Sequence, residues 1–113
     1  MPHELSFTLL PATQSSDYRW LNIDRNGQRV GKARGRVNDN VLTIYSIIIF
    51  PEFEGKNYGS KTIEVFKEHF NTIIADRVRP AAVGFWEKMG FSNSGDGSYV
   101  FHKKGHCSRI EDF

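Results

Sequence analysis

Cysteine is nearly absent: the 113 residues hold one, Cys107. A single thiol excludes an intrachain disulfide and a cysteine-built zinc site. Long apolar runs are also missing. The longest, Ile47-Ile48-Ile49-Phe50, is far short of the roughly 20 residues a membrane helix needs, so no membrane partner is expected. Met1-Pro2-His3-Glu4 shows neither a basic nor an apolar leader, and a cytoplasmic location is the expectation. Neither charge sign dominates. Fifteen Lys and Arg against thirteen Asp and Glu leave a net charge of +2, too mild by itself to mark a nucleic-acid binder. Repeats and low-complexity segments are lacking. Three possible metal ligands near the end, His102, His106 and Cys107, have no spacing that argues for a site, and no metal is expected.

What is present suits one globular domain. Hydrophobic residues make up 39% and aromatics 13%, with nine Phe, enough for a dense single core. Residues 1–104 are expected to form that domain and 105–113 a polar, fraying tail, in a monomer or weak homodimer. Leu5–Leu10 alternates as a first strand and ends at Pro11; Thr13–Asp17 is a polar loop. Tyr18–Ile23 alternates again, and Asn26-Gly27 before the return strand Gln28–Val37 is a strong hairpin signal, because a type I′ turn needs positive φ twice. Asn38-Asp39-Asn40 turns into Val41–Phe50, a long β-branched strand stopped by Pro51.

The period then changes. Ile63, Phe66 and Phe70 recur at helical spacing within Gly59–Asn71. Thr72–Ala75 is a short strand. Pro80 suits a helix's first turn, Ala81–Met89 continues it, and Gly90 is a good stop. Phe91 begins a strand, Ser94-Gly95-Asp96-Gly97 breaks it, and Ser98–Lys103 returns. The order β-β-β-β-α-β-α-β-β predicts an α/β (α+β) sheet with two main helices.

Chemistry concentrates between the long strand and the first helix. Glu54-Gly55-Lys56-Asn57-Tyr58-Gly59-Ser60 is a glycine-bearing loop at a helix start, where unpaired N–H groups and the helix dipole favour an anion. The G-x-G-x-x-G and G-x-x-x-x-G-K-S/T spacings are both absent. The loop resembles the phosphate cradle of the Gcn5-related N-acetyltransferase (GNAT) family, Q/R-x-x-G-x-G/A. Gly55, Lys56, Gly59 and Ser60 match, while Glu54 replaces Gln/Arg and Asn57 replaces Gly. Asn is the next best residue for a left-handed backbone. Ala82-Val83-Gly84-Phe85-Trp86-Glu87-Lys88-Met89-Gly90-Phe91 resembles the family's A-x-x-F/L-Y-E-K-L-G-F helix.

That resemblance implies a mixed, mostly antiparallel sheet of about seven strands, splayed between the fourth and fifth, with a shortened N-terminal helical region between Pro11 and Asp17. It implies acetyl-CoA as acyl donor and an unidentified primary amine as acceptor, by direct attack on the thioester. The pantetheine arm would pair with backbone groups of Ile47, Ile48 and Ile49, and an N–H near Ile48 or Ile49 would hold the oxyanion. The pyrophosphate would meet Glu54, Gly55, Lys56, Asn57, Tyr58, Gly59 and Ser60. Trp86 stands where members carry a Tyr that protonates the thiolate, and indole N–H is no usable acid. No carboxylate occupies the fourth-strand position of the family's water-linked base; Tyr45 and Asp76 are the nearest catalytic candidates. Two alternatives remain open at this point: a non-catalytic acyl-CoA-binding module, and a nucleic-acid or protein-partner-binding β-rich domain. Arg29, Lys32, Arg34 and Arg36 motivate the latter; the last three share a strand face that is either merely solvated or suited to an anionic acceptor or nucleic acid.

Overall fold

The computed structural model describes residues 5–11 and 18–103. The chain's first four residues, the loop expected over 13–17, and the tail with His106 and Cys107 lie outside the described residues. Alternating apolar residues draw out β1 (Leu5–Leu9), β2 (Arg19–Arg25), β3 (Gln28–Asn38) and β4 (Val41–Ile49). These form an antiparallel meander, turned between β2 and β3 by Asn26 and Gly27 with φ of 51° and 85°. A 3-10 turn at Pro51–Phe53 then leads to α1 (Tyr58–His69), β5 (Thr72–Ala75), a 3-10 turn at Pro80–Ala82, α2 (Val83–Lys88), β6 (Ser92–Asn93) and β7 (Tyr99–His102). The sheet order is β1-β2-β3-β4-β5-β7-β6, with β4 and β5 parallel and every other pair antiparallel. The expected mixed, mostly antiparallel seven-stranded sheet with two helices is the observed one.

One sheet face carries the core. Ile63 and Phe66 of α1 are fully buried with Leu21, Ile23, Val30, Leu42 and Ile73, and Phe7 meets Phe66 edge to face at 5.1 Å. Burying such side chains stabilises by about 1.5–3 kcal/mol each.

Several boundaries differ from expectation by a residue or two, α1 running Tyr58–His69 rather than Gly59–Asn71, and two later differences have a clear cause. The second helix is shorter, because Pro80 starts a 3-10 turn and α-helical geometry begins only at Val83. The following strand begins at Ser92 rather than Phe91. Phe91 is committed to closing α2. Its N–H donates to the Trp86 carbonyl, the Gly90 N–H donates to that of Glu87, and the Phe91 ring packs on Trp86 at 4.9 Å. This is a Schellman closure, with Gly90 left-handed at φ 91° as its stop position demands.

Candidate functional site

The parallel pairing of β4 with β5 runs from Val41↔Thr72 to Ile44↔Ala75 and stops. There the strands part, the last link being the Asp76 N–H donating to the Ile44 carbonyl at 2.9 Å. The cause lies in β4. Against β3, Gly35 faces Ile44 while the next residue, Arg34, faces Ser46, so Tyr45 is an extra residue. Such a bulge bends its strand and raises the local twist.

Past the bulge, β4 has a neighbour on one side only among the described residues. Phe50 N–H donates to the Val30 carbonyl of β3. Backbone groups alternate sides along a strand, so Ile48 also turns to β3. Ile47 and Ile49 therefore present their N–H and C=O to the opened side. The same alternation sends the Ile47 and Ile49 side chains toward the core and leaves Ile48 45% exposed. Among the residues expected near an oxyanion, Ile48 has its N–H turned the wrong way.

Two hollows lie end to end along this edge. At the divergence, a cavity of about 470 Å³ is walled by residues 44–48 of β4 and, opposite, by 75–79, Ala82 and Trp86. Beyond it a hollow of about 320 Å³ is bounded by Ile49, Phe53, Glu54, Gly55, residues 57–60, Phe85 and Lys88. Successive residues of β4 and of the 80–88 segment line both.

The far hollow ends on the start of α1. Gly55 and Asn57 are left-handed, with φ of 83° and 64°. Asn57 is the N-cap, its carbonyl accepting from the Lys61 N–H at 3.0 Å, but its side chain makes no capping hydrogen bond. The N–H groups of Tyr58, Gly59 and Ser60 thus have no partner inside the helix. They face outward at the positive end of its dipole. A Cβ built on Gly59 would touch only the Phe85 ring, at 3.9 Å. The fold itself leaves room for a side chain there. The Tyr58 ring, by contrast, is buried and 6.1 Å from Phe53, so only its backbone is available to a ligand. Glu54 and Lys56 are exposed on the loop.

The near cavity brings Tyr45 and Asp76 together as lining residues at the point of divergence. Arg77, left-handed at φ 53°, sets its Nε 3.9 Å from an Asp76 carboxylate oxygen, and its N–H donates to Ser98 Oγ at 3.3 Å. Trp86 is both core and cavity wall: 6% exposed, edge to face with Phe85 at 5.1 Å. His69 serves the fold, its Nδ1 3.0 Å from the Val65 carbonyl and its ring against Phe7.

The walls also hold residues that the motifs do not single out, among them Phe85, Lys88, Arg77 and Arg79. Phe85 and Lys88 are three apart on a helix, which places them on one face. That spacing was the available signal. Nothing local distinguished Arg77 or Arg79.

The profile of the Acetyltransferase (GNAT) family matches residues 2–91. An uncharacterized N-acetyltransferase of Bacillus pumilus is 32% identical over 56 residues, covering 50% of this chain and 35% of that protein. The shared stretch thus spans about a third of that curated relative's length. Among solved structures, an acetyltransferase from Thermus thermophilus superposes with a TM-score of 0.61 at 18% identity, covering 79% of this chain and 66% of that one. The Bacillus subtilis N-acetyltransferase YlbP, solved in complex with coenzyme A, gives 0.57 at 20% identity, covering 74% and 66%. Likeness at such identities shows a shared fold.

Proposed function

The chain belongs to the GNAT acetyltransferase family, and on that premise we propose that it transfers an acetyl group from acetyl-CoA to a primary amine. The observation that carries the reading is the groove along β4. One end offers unpaired N–H groups of α1 and the room over Gly59. The middle offers the open backbone edge at Ile47 and Ile49. The other end holds Tyr45 and Asp76. That sequence of chemistries suits a diphosphate, an amide-bearing arm and a thioester in turn. The complex of a structural neighbour with coenzyme A supports the same donor.

In this reading Tyr58, Gly59 and Ser60 hold the diphosphate through backbone N–H, with Lys88 adding a cation. Ile47 and Ile49 pair with the arm's amides, and whichever of their N–H groups meets the carbonyl stabilises its developing charge. Asp76 takes the proton that the acceptor ammonium gives up, so that the neutral amine attacks the thioester carbonyl and the CoA thiolate leaves, and the Tyr45 hydroxyl stands at the same end. Positioning supplies most of the rate. A thiol leaves readily because its pKa is roughly 8.5, so Trp86 need not donate a proton. With no carboxylate on β4, an α-amino group (pKa about 8) is a better acceptor than lysine at about 10.4.

Thiol release from acetyl-CoA across an amine panel tests the reading. Amine-dependent release supports acetyl transfer. Calorimetric binding of acetyl-CoA with no release by any amine would instead favour a non-catalytic acyl-CoA module, as Trp86 at the acid's position suggests.

A further inference from the structure

The sheet face opposite α1 carries a constellation that adjoins the donor groove at Tyr45 and Ser46. Trp20, Arg34 and Ser46 stand abreast as Cα partners on β2, β3 and β4. The Arg34 guanidinium lies 4.9 Å from the Tyr18 ring centroid, and Lys32 Nζ lies 4.8 Å from that of Trp20. Tyr18 in turn packs edge-on at 6.3 Å from Trp20 and 6.5 Å from Tyr45. Ring faces attract the cations but offer no lone pair in the guanidinium plane. Arg34 Nε is buried and has no hydrogen-bond partner among the described residues. A buried donor left without an acceptor is rare and costly, and charge makes it more so.

The surroundings say what would satisfy it. On β2 to β4 this face carries Lys32, Arg34 and Arg36, and its one carboxylate there, Asp24, already accepts from Arg29 Nε at 2.6 Å. Ser46 and Ile48, the partners of Arg34 and Lys32, line the cavity at the β4–β5 divergence, and Arg77 and Arg79 stand on its far wall. Arg34 is therefore one strand spacing, about 5 Å, from the reacting end of the groove. Lys32, Arg34 and Arg36 all stand on β3, within about 13 Å along the strand, a breadth that suits a small molecule.

We propose that this face is the acceptor subsite, and that the acceptor is a small amine carrying its own oxyanion, carboxylate or phosphate, which Arg34 binds while the amine enters the cleft. The proposal rests on the acetyltransfer reading. Its own content is the anion and Arg34. A guanidinium binds either oxyanion through paired N–H donors, so the two sources need separate arms.

The experiment compares matched acceptors in thiol release by the intact chain: β-alanine against propylamine, and O-phosphoethanolamine against ethanolamine. At least one anionic member should exceed its neutral match tenfold or more in kcat/KM, and the larger preference identifies the oxyanion. In Arg34→Gln that preference should fall to within about twofold through KM, and Arg34→Lys should restore part of it. Equal use of both members of both pairs by the parent protein overturns the proposal, as does an Arg34→Gln variant that keeps the preference. The Trp20 indole N–H resonance, distinguished from that of Trp86 with Trp86→Phe, gives a second reading without catalysis. It should shift with N-acetyl-β-alanine or N-acetyl-O-phosphoethanolamine and not with N-propylacetamide. A shift without any thiol release would retain the subsite and remove acetyl transfer. No shift with either anion would remove the subsite.

Discussion

Gly59 lies in the first turn of α1, where a Cβ would find only ordinary contact with Phe85. Glycine there costs the helix about 0.5–1 kcal/mol relative to alanine, with no return in packing. Its use is explained if a ligand's backbone contact excludes a side chain. Gly59→Ala should therefore melt no lower than the parent while binding acetyl-CoA at least tenfold more weakly, about 1.4 kcal/mol; calorimetry and a thermal melt on the same preparation check both halves. Trp86 makes the opposite case. Its indole is wedged between Phe85 and Phe91, so Trp86→Phe should keep turnover within about tenfold, roughly 1.4 kcal/mol in barrier. A loss of 10²-fold or more in a folded variant, read by thiol release, would make the indole N–H a working donor. At this scale the sequence was informative where a residue type is tied to one backbone state. Asn57 in the glycine position of the loop is left-handed at φ 64°, as an Asn substitution there implies. It was uninformative for Tyr58, whose buried ring and available backbone look the same in one-letter code.

Among the elements, β4 decides the site. Its bulge at Tyr45 puts Ile44, Ile47 and Ile49 on one face and coincides with the end of β5 pairing. Deleting Tyr45 would leave Gly35↔Ile44 and Arg34↔Ser46 contiguous, so the same apolar side chains stay inward and the sheet should fold. The bend would go, and acetyl-CoA affinity should drop at least tenfold; a folded deletion variant with parent affinity would show that the bulge does not open the groove. Strands, helices and their order were legible because periodicity switches from 2 to 3.6 at Pro51–Tyr58. The bulge was not, since one extra residue in a run of β-branched side chains changes neither composition nor propensity. Of the three isoleucines Ile47-Ile48-Ile49 the middle one is exposed, which residue type alone does not reveal. The start of β6 was displaced for a similar reason: Phe91 has strand character, but its N–H belongs to the helix closure.

For the whole molecule, the donor groove and the acceptor face differ in how they are encoded. The groove's loop and its second helix are each contiguous in sequence, so two short motifs sufficed to suggest the family. The acceptor face is assembled from residues on three strands, Trp20, Arg34 and Ser46, and only strand register shows them abreast. Ligand binding to the folded state alone also stabilises the whole domain. At a hundredfold excess over Kd the gain is about 2.7 kcal/mol, which for a chain this size should raise Tm by about 10 °C or more. Absence of any rise up to millimolar acetyl-CoA would deny that the folded chain holds it. The most direct test of the account is an amide NMR titration of the labelled protein with acetyl-CoA, since it reports where the ligand lies as well as whether it binds. Saturable shifts should concentrate on the backbone amides of Ile47, Ile49, Gly59 and Ser60, running the length of the groove. Shifts confined to other parts of the sheet, or none at millimolar ligand, would contradict it.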